Sequence, residues 1–395
     1  MIDAPEQPDA GQVLFTAFEP SGDAHAAPVI RTLRERHPAL RIAALGGPKM
    51  ANAGAEIIQL TTHDAAMGLG ALGKIKAIRA ARSALRAWCQ DRAVDIHVPT
   101  DAPAANWSFC ADMKKRGATV MHLVCPQIWA WAGWRIRRLH RWSDHVMCLL
   151  SFEEAWLRER GVDATFIGHP RLNRALHDAA LAATAASFPD GSPRVVLLPG
   201  SRRQEVVANL PVMLETVKAL RDDAPELTAI ICVGNDDIRE HVDDVAPQRP
   251  EFVHTVVGET DAGIHWADAA LAVSGTVTLD VARQRTPMVG LYRITRFSRA
   301  VSRLLLTPGY RLLPNLIAGD EVVPEFVPYA GNSEPVINAA RRVILDATVR
   351  QDISAQLEAV CATYDGKEPD EIAASLIMNM MQSRGSRSSA VAQPA

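Results

Sequence analysis

The stretch from Val195 to Val206 changes character twice, and each change restricts the fold. Val195–Leu198 is an unbroken apolar run, Pro199-Gly200 stops it, and a helical pattern starts at Glu205 behind Ser201, Arg202 and Arg203. A short apolar run without polar alternation fits a strand covered on both faces, as in parallel sheets. A tight turn into a helix makes it one strand–turn–helix unit of an α/β domain. The same turn suits an anion. N–H groups at a helix start point outward, the helix dipole adds partial positive charge, and arginine offers bidentate donors. The ligand that fits Gly200, Ser201 and Arg202 is a phosphate or diphosphate. The plainer reading is a connecting loop with two solvated arginines.

The pattern recurs on both sides of this segment. Val13–Phe18 reads as a strand ending at Glu19-Pro-Ser-Gly-Asp23, with a helix to about Arg36. Leu40–Leu45 is a second strand, closed by Gly46-Gly47-Pro48, and Val94–Val98, Thr119–Val124, His145–Leu150 and Thr165–Ile167 follow. An Ala-rich stretch from Leu172 ends in the turn residues Pro189-Asp-Gly-Ser-Pro193. A second series then runs through Val195–Leu198, Thr228–Val233, Phe252–Val256, Ala270–Val273 and Met288–Tyr292. Strands alternating with helices predict parallel sheets covered on both faces. The expected organisation is a first α/β domain over 11–185 and a second over 190–345. Helices at about 350–382 would pack back on the first, and 383–395, rich in Ser, Arg and Ala, would be a disordered tail. Ligands in such sheets lie off the carboxyl ends of the strands, which makes the cleft between two domains the natural site.

Composition narrows the function. The 395 residues suit two domains, and 48% hydrophobic residues suffice for two cores. A formal net charge of -3 carries no global basic field, so no nucleic-acid partner is expected. No apolar run reaches bilayer length, and the polar, acidic start does not read as a signal peptide. The six cysteines form no CxxC pair and have mostly apolar neighbours; they read as reduced, buried thiols of a cytoplasmic protein. No His/Cys/Asp spacing builds a metal site, and no GxGxxG follows a strand, which argues against a nicotinamide cofactor. No cofactor is expected.

Three further clusters sit at strand ends. Ser274-Gly275-Thr276 opens a helix after Ala270–Val273, and Asp280 lies on that helix, where a carboxylate accepts from ribose hydroxyls. Helix capping by Ser274 or Thr276, with a solvated Asp280, is the bland alternative. Leu313-Pro-Asn-Leu-Ile-Ala-Gly319 is a shaped loop leading to Glu321 and Glu325, with Asn315 offering donor and acceptor. In the first half, Ser21-Gly22-Asp23, Gly46-Gly47-Pro48 and Thr100-Asp-Ala-Pro103 would converge on one crevice. Asp101 is the preferred general base there, or else the cap of the helix that follows. Trp129, Trp131 and Trp134 suggest a wall against an acceptor, a domain contact or a packed core, and Arg135, Arg137, Arg138 and Arg141 behind them would meet a phosphate or form a solvated face. Leu69 and Leu72 lie in an apolar glycine-rich segment. The next helix has Ile78, Ala81, Leu85 and Trp88 on one face and Arg79, Arg82 and Arg86 beside it. That is an interfacial helix next to anionic lipid, or a domain helix with its stripe turned inward.

Read together, these segments resemble the lipid-A-disaccharide synthase family, glycosyltransferases of the GT-B type with two facing Rossmann-like domains and parallel sheets. The resemblance rests on Ala130-Trp131, Phe166-Ile-Gly-His-Pro170, Leu197-Leu-Pro-Gly-Ser-Arg-Arg203, Ser274-Gly-Thr-Val-Thr-Leu279, Pro287-Met288 and Leu313–Gly319, in one order from about Phe15 to about Val327. It implies transfer of a diacylglucosamine from UDP-2,3-diacylglucosamine to 2,3-diacylglucosamine 1-phosphate. The product would be an inverted β-1,6 linkage, with UDP released. It further implies peripheral contact with the inner face of the cytoplasmic membrane, and it allows a homodimer. Asp101 and Asp23 would then be catalytic. Gly200, Ser201, Arg202, Ser274, Gly275, Thr276, Asp280, Asn315 and Glu321 would hold the UDP-sugar. Ser21, Gly22, Trp129, Trp131, Leu69 and Leu72 would meet the acceptor or its acyl chains. Another UDP-sugar GT-B enzyme, transferase or epimerase, and a non-catalytic nucleotide- or lipid-binding descendant are the alternatives. The sequence departs from the family at three points. The first loop reads Phe18-Glu-Pro-Ser-Gly-Asp23 where the family usually has Gly-Glu-Ala-Ser-Gly-Asp. The family's Asp-x-Pro-Asp-Phe-Asn reads Asp101-Ala-Pro-Ala-Ala-Asn106, so its second acid is Ala104. Asp280 replaces the usual glutamate.

Overall fold

The apolar runs pair as strands of two parallel sheets. The computed structural model describes residues 11–62, 71–130, 133–294 and 309–391, and the chain divides into a first unit, to Pro170 and again from Gly366, and a second, Arg171–Asp365. Among the described residues the first unit has seven strands: β1 (Gln12–Thr16), β2 (Arg41–Gly46), β3 (Glu56–Leu60), β4 (Ile96–Pro99), β5 (Thr119–Leu123), β6 (His145–Cys148) and β7 (Ala164–Phe166). They lie in the order β3-β2-β1-β4-β5-β6-β7, and every pair is parallel. Strand β1 is central and wholly buried, and its alternate residues feed two cores. Val13 and Phe15 join Ile30, Leu33, Ile42 and Ile377 on one side, while Leu14 joins Leu45, Leu85 and Phe109 on the other.

The second unit repeats the plan with β8 (Arg194–Leu198), β9 (Thr228–Val233), β10 (Val253–Val257), β11 (Ala269–Val273), β12 (Met288–Arg293) and β13 (Glu325–Tyr329). The order is β10-β9-β8-β11-β12-β13, again all parallel. In each sheet the order reverses at one place, between β1 and β4 and between β8 and β11. The loops leaving the carboxyl ends of those two strands diverge there and open a crevice.

The boundaries differ from those expected. The division falls at Pro170/Arg171, because the helix Asp178–Ala185 packs beside Thr260–Trp266 within the second unit. The helix Ala347–Ala362 also stays there, burying Ile353, Leu357 and Val360 in its core. Only the helix Pro369–Val391 returns to the first unit, through Ala373, Ala374 and Ile377. That helix runs to Val391, across much of the expected disordered tail. Ser, Arg and Ala tolerate helix, and extending an existing helix is far easier than nucleating one.

The apolar stripe of the helix Ala71–Trp88 faces the protein. Ala81, Leu85 and Trp88 are buried, Trp88 Nε1 donates to Glu56 Oε1 at 3.0 Å, and Arg82 grips Asp112 through two 2.6 Å bonds. This stripe is therefore core rather than an interfacial face. Leu69 and Trp131 lie outside the described residues, as does the side chain of Leu72. Among the described residues, no helix is long and apolar enough to cross a membrane.

Candidate functional site

Seven of the residues assigned to the nucleotide line one cavity of about 720 Å³ in the second unit: Gly200, Ser201, Arg202, Ser274, Gly275, Thr276 and Asp280. The β8 and β11 loops bring them together at the switch point of that sheet. Gly200 has φ +120°, and a Cβ there would stand 2.5 Å from Glu205 Cβ, so only glycine fits this turn. The helix Arg203–Arg221 follows. Glu205 in its first turn reaches back, accepting from Ser201 N–H at 2.9 Å and from Arg202 Nη1 at 2.9 Å. Arg202 is largely exposed, so this is a surface ion pair of at most about 1 kcal/mol that a phosphate can displace.

The lining carries both signs of charge. Arg171, Arg174 and Arg202 share it with Glu205, Glu259, Asp261 and Asp280. Asp280 is the buried member. Its Oδ2 accepts from Arg171, while its Oδ1, out of water, has no hydrogen-bond partner among the described residues. Burial, opposed first by the Arg171 charge, raises its pKa above the ordinary aspartate value. An unpartnered buried acceptor costs about 1–3 kcal/mol, which a donor hydroxyl on a ligand recovers. Asp261 ties the surrounding arginines, pairing with Arg174 and with Arg283 Nη2 at 3.1 Å. Sequence reading missed this cluster. The available signal was that Arg171 and Arg174 directly follow Phe166-Ile-Gly-His-Pro170.

Asn315 and Glu321 are placed elsewhere. Asn315 is fully buried: its Nδ2 donates to Val323 O and Glu325 Oε2, and its Oδ1 accepts from Val322 N and Val323 N. That uses its bonding capacity to anchor the start of β13, not to hold a sugar. Glu321 is exposed and outside the cavity lining.

In the first unit, Asp101 follows β4 at the corresponding switch point and lines a cavity of about 250 Å³ with Val124, Cys125, Gln127 and Arg135. Its backbone is strained. Asp101 (φ +52°), Ala102 (φ +41°) and Val124 (φ +72°) are all left-handed without being glycine. Such conformations cost of order 1–3 kcal/mol each and gather at functional sites. Asn106 holds the turn: its Nδ2 donates to Asp101 O at 2.7 Å, and its Oδ1 accepts from Thr16 Oγ1 at 2.7 Å. Thr16 Oγ1 has thus given its proton away, so the 2.9 Å contact with His97 Nε2 makes that nitrogen the donor. The carboxylate itself accepts from Ser21 Oγ at 2.5 Å and from Ala102 N at 2.7 Å.

Ser21 and Gly22 begin the helix Pro20–Arg36 beside this carboxylate. Asp23 corrects the expectation of a catalytic acid. It is buried, and its two oxygens accept from the N–H groups of Gly47, Lys49 and Met50 at 3.0–3.1 Å. Its work is to fasten the β2 loop. Ala104, where the family has a second acid, is exposed and does not line the cavity. Trp129 is half-buried, its ring edge-on to Phe152 and its Nε1 donating to Glu153 at 2.9 Å. Burial pushes the Glu153 carboxyl up to about 7 against that bond and a backbone N–H from Leu150. No metal-ligand spacing stands out in the sequence, yet the fold brings Cys125, Cys148 and Glu153 together.

Comparison with known proteins follows the same lines. The family profile described as Lipid-A-disaccharide synthetase matches residues 13–371. The lipid-A-disaccharide synthase of Syntrophus aciditrophicus is 32% identical over 328 residues, 82% of this chain and 86% of that protein. That of Granulibacter bethesdensis is 33% identical, covering 80% of this chain and 81% of that protein. Among solved structures, the S. aureus MnaA–UDP co-structure matches with a TM-score of 0.61 at 11% identity, covering 94% of this chain and 96% of that one. The calicheamicin glycosyltransferase CalG4 matches at 0.58 and 12% identity, covering 95% and 99%. At such identities the structural matches speak for the fold, which is of the GT-B type.

Proposed function

The chain belongs to the lipid-A-disaccharide synthetase family, and from that premise we propose that it joins UDP-2,3-diacylglucosamine to 2,3-diacylglucosamine 1-phosphate. The 6-hydroxyl of the acceptor attacks the anomeric carbon of the donor. The new C1–O6 bond forms as the bond from C1 to the diphosphate breaks, and UDP leaves with the electron pair. Attack opposite the leaving group inverts the centre to the β-1,6 linkage. UDP is a good leaving group once its charge is met, so one base suffices. Asp101 takes the hydroxyl proton. It is the sole carboxylate lining its cavity among the described residues, and its strained turn keeps it fixed. Arg202 and the N–H groups after Gly200 and Ser274 receive the diphosphate, and Asp280 Oδ1 accepts from a ribose hydroxyl. Asp23 acts at one remove, by fastening the Gly47–Met50 loop.

The single observation carrying this reading is the full family match over two sheets whose switch points hold, one each, a diphosphate-type loop and a strained aspartate. Membrane contact is peripheral in this reading, and the lipid substrates are taken from the bilayer surface. Mass spectrometry of a reaction containing defined acylated donor and acceptor tests it. A tetraacyl disaccharide 1-phosphate is expected from wild type and none from Asp101→Ala. Turnover of water-soluble UDP-N-acetylglucosamine without acylated substrates would point to a different UDP-sugar enzyme. Absence of turnover despite UDP binding would point to a non-catalytic descendant.

A further inference from the structure

We propose that Cys125, Cys148 and Glu153 form a site for a divalent transition-metal ion of the thiolate-preferring class, to which Zn²⁺ belongs. Their ligand atoms, two Sγ and a carboxylate oxygen, all lie within 4.8 Å of one another, and all three residues are buried. Tetrahedral Zn²⁺ with bonds of about 2.0–2.3 Å sets neighbouring ligand atoms roughly 3.5–3.8 Å apart, so closure needs side-chain shifts of about an ångström.

The scaffold holds the ligands from adjacent elements. Cys148 ends β6 and Cys125 stands just past β5. These strands are paired neighbours through Leu123 and Met147, so the sheet fixes the approach of the two thiols. Glu153 lies in the first turn of the helix Ser151–Arg158, directly after β6. Both of its oxygens are oriented from outside: Trp129 Nε1 donates to Oε1 at 2.9 Å and Leu150 N to Oε2 at 3.0 Å. Donors of this kind aim a ligating carboxylate and favour its charged form, and each oxygen keeps a lone pair for the ion. Cys125 Sγ also donates to Pro126 O at 3.4 Å. Two sulfur ligands disfavour Mg²⁺ and Ca²⁺, which take all-oxygen sets. The fourth position is left to water. Because Cys125 also lines the Asp101 cavity, a bound ion ties that wall and the Trp129 loop to β6. Its role is to position the wall, and no step of glycosyl transfer passes through it.

Co²⁺ titration of the full chain, stripped by chelator under reducing conditions, tests the site. A thiolate-to-Co²⁺ charge-transfer band should saturate at about one ion per chain and vanish on adding Zn²⁺. The band should be lost in Cys125→Ser and in Cys148→Ser and kept in Cys232→Ser, which changes a thiol of the second unit. Glu153→Gln should keep the band while weakening affinity about 10–100-fold. No band in wild type, or an unchanged band in both first-unit cysteine variants, overturns the proposal. Should those variants fail to fold, maleimide labelling of wild type decides. Zn²⁺ should protect Cys125 and Cys148, read by peptide mass spectrometry, and equal labelling with and without Zn²⁺ overturns it.

Discussion

Mild acid should destabilise the first unit, and two histidines supply most of a defined part of that loss. His97 on β4 and His122 on β5 are buried, and burial lowers both imidazoles to about 3, with His122 adding further to the lowering at His97. Among the described residues His97 Nδ1 has no partner for a second proton, and His122 Nε2 faces Cys110 Sγ at 3.9 Å. In the unfolded chain each titrates near 6.5. Between about 3 and 6.5 the unfolded state therefore binds protons that the folded state does not. The stability is fully present above 6.5 and is lost as pH falls toward 3. With one proton per site and 1.36 kcal/mol per pH unit, moving from pH 8 to pH 5 costs about 2 kcal/mol per histidine, roughly 4 for the pair. Urea unfolding followed by tryptophan fluorescence reads this unit, since of eight tryptophans only Trp266 belongs to the other. His97→Gln and His122→Gln should each shrink the pH 8-to-5 loss by about 2 kcal/mol, whatever they do to absolute stability. Equal losses in wild type and both variants would refute the reasoning.

Other expectations are as direct. Gly47→Ala puts a Cβ 2.4 Å from both Asp23 Oδ2 and Thr62 Oγ1, and should lower first-unit stability by about 1–3 kcal/mol in the same melts. Asn106→Ala removes the amide that holds the Asp101 turn. It should reduce kcat about 10–100-fold with donor KM little changed, and an equal rise in KM alone would contradict that role. Glu205→Gln removes the charge that occupies Arg202 and Ser201 N–H. UDP should then bind about 2–5-fold tighter by calorimetry, and weaker binding would show that Glu205 organises the loop instead.

Legibility followed burial. Strands β1, β8, β9 and β11 are readable because they are continuous apolar runs closed by turn residues, the mark of sheet interiors. The edge strands β3 and β13 are not. In β3, Glu56-Ile-Ile-Gln-Leu60 is partly exposed and ambiguous in period, and β13 carries Pro328, which demotes a strand pattern although an edge tolerates it. The same division holds at the site. Loops at strand ends identify themselves locally, so Gly200, Ser274 and Asp101 could be placed. What each polar side chain bonds to could not. The partners of Asp23 lie at Gly47–Met50, and those of Asn315 lie on the approach to β13. A saturated scaffold residue and a ligand-binding one read alike until the fold supplies their neighbours. The Cys125, Cys148 and Glu153 cluster is silent for the same reason, since sheet pairing rather than a motif spacing assembles it.

The central claim is that a uridine diphosphate binds at the carboxyl ends of β8 and β11 with Asp280 as a polar anchor. Calorimetric titration of the full chain with UDP tests it most directly, using wild type, Asp280→Asn and Glu321→Ala. Saturable binding is predicted, weakened about 10-fold or more in Asp280→Asn and unchanged in Glu321→Ala, which alters an exposed side chain outside the cavity. No heat of UDP binding from the folded wild type, or equal affinity in Asp280→Asn, would contradict the account.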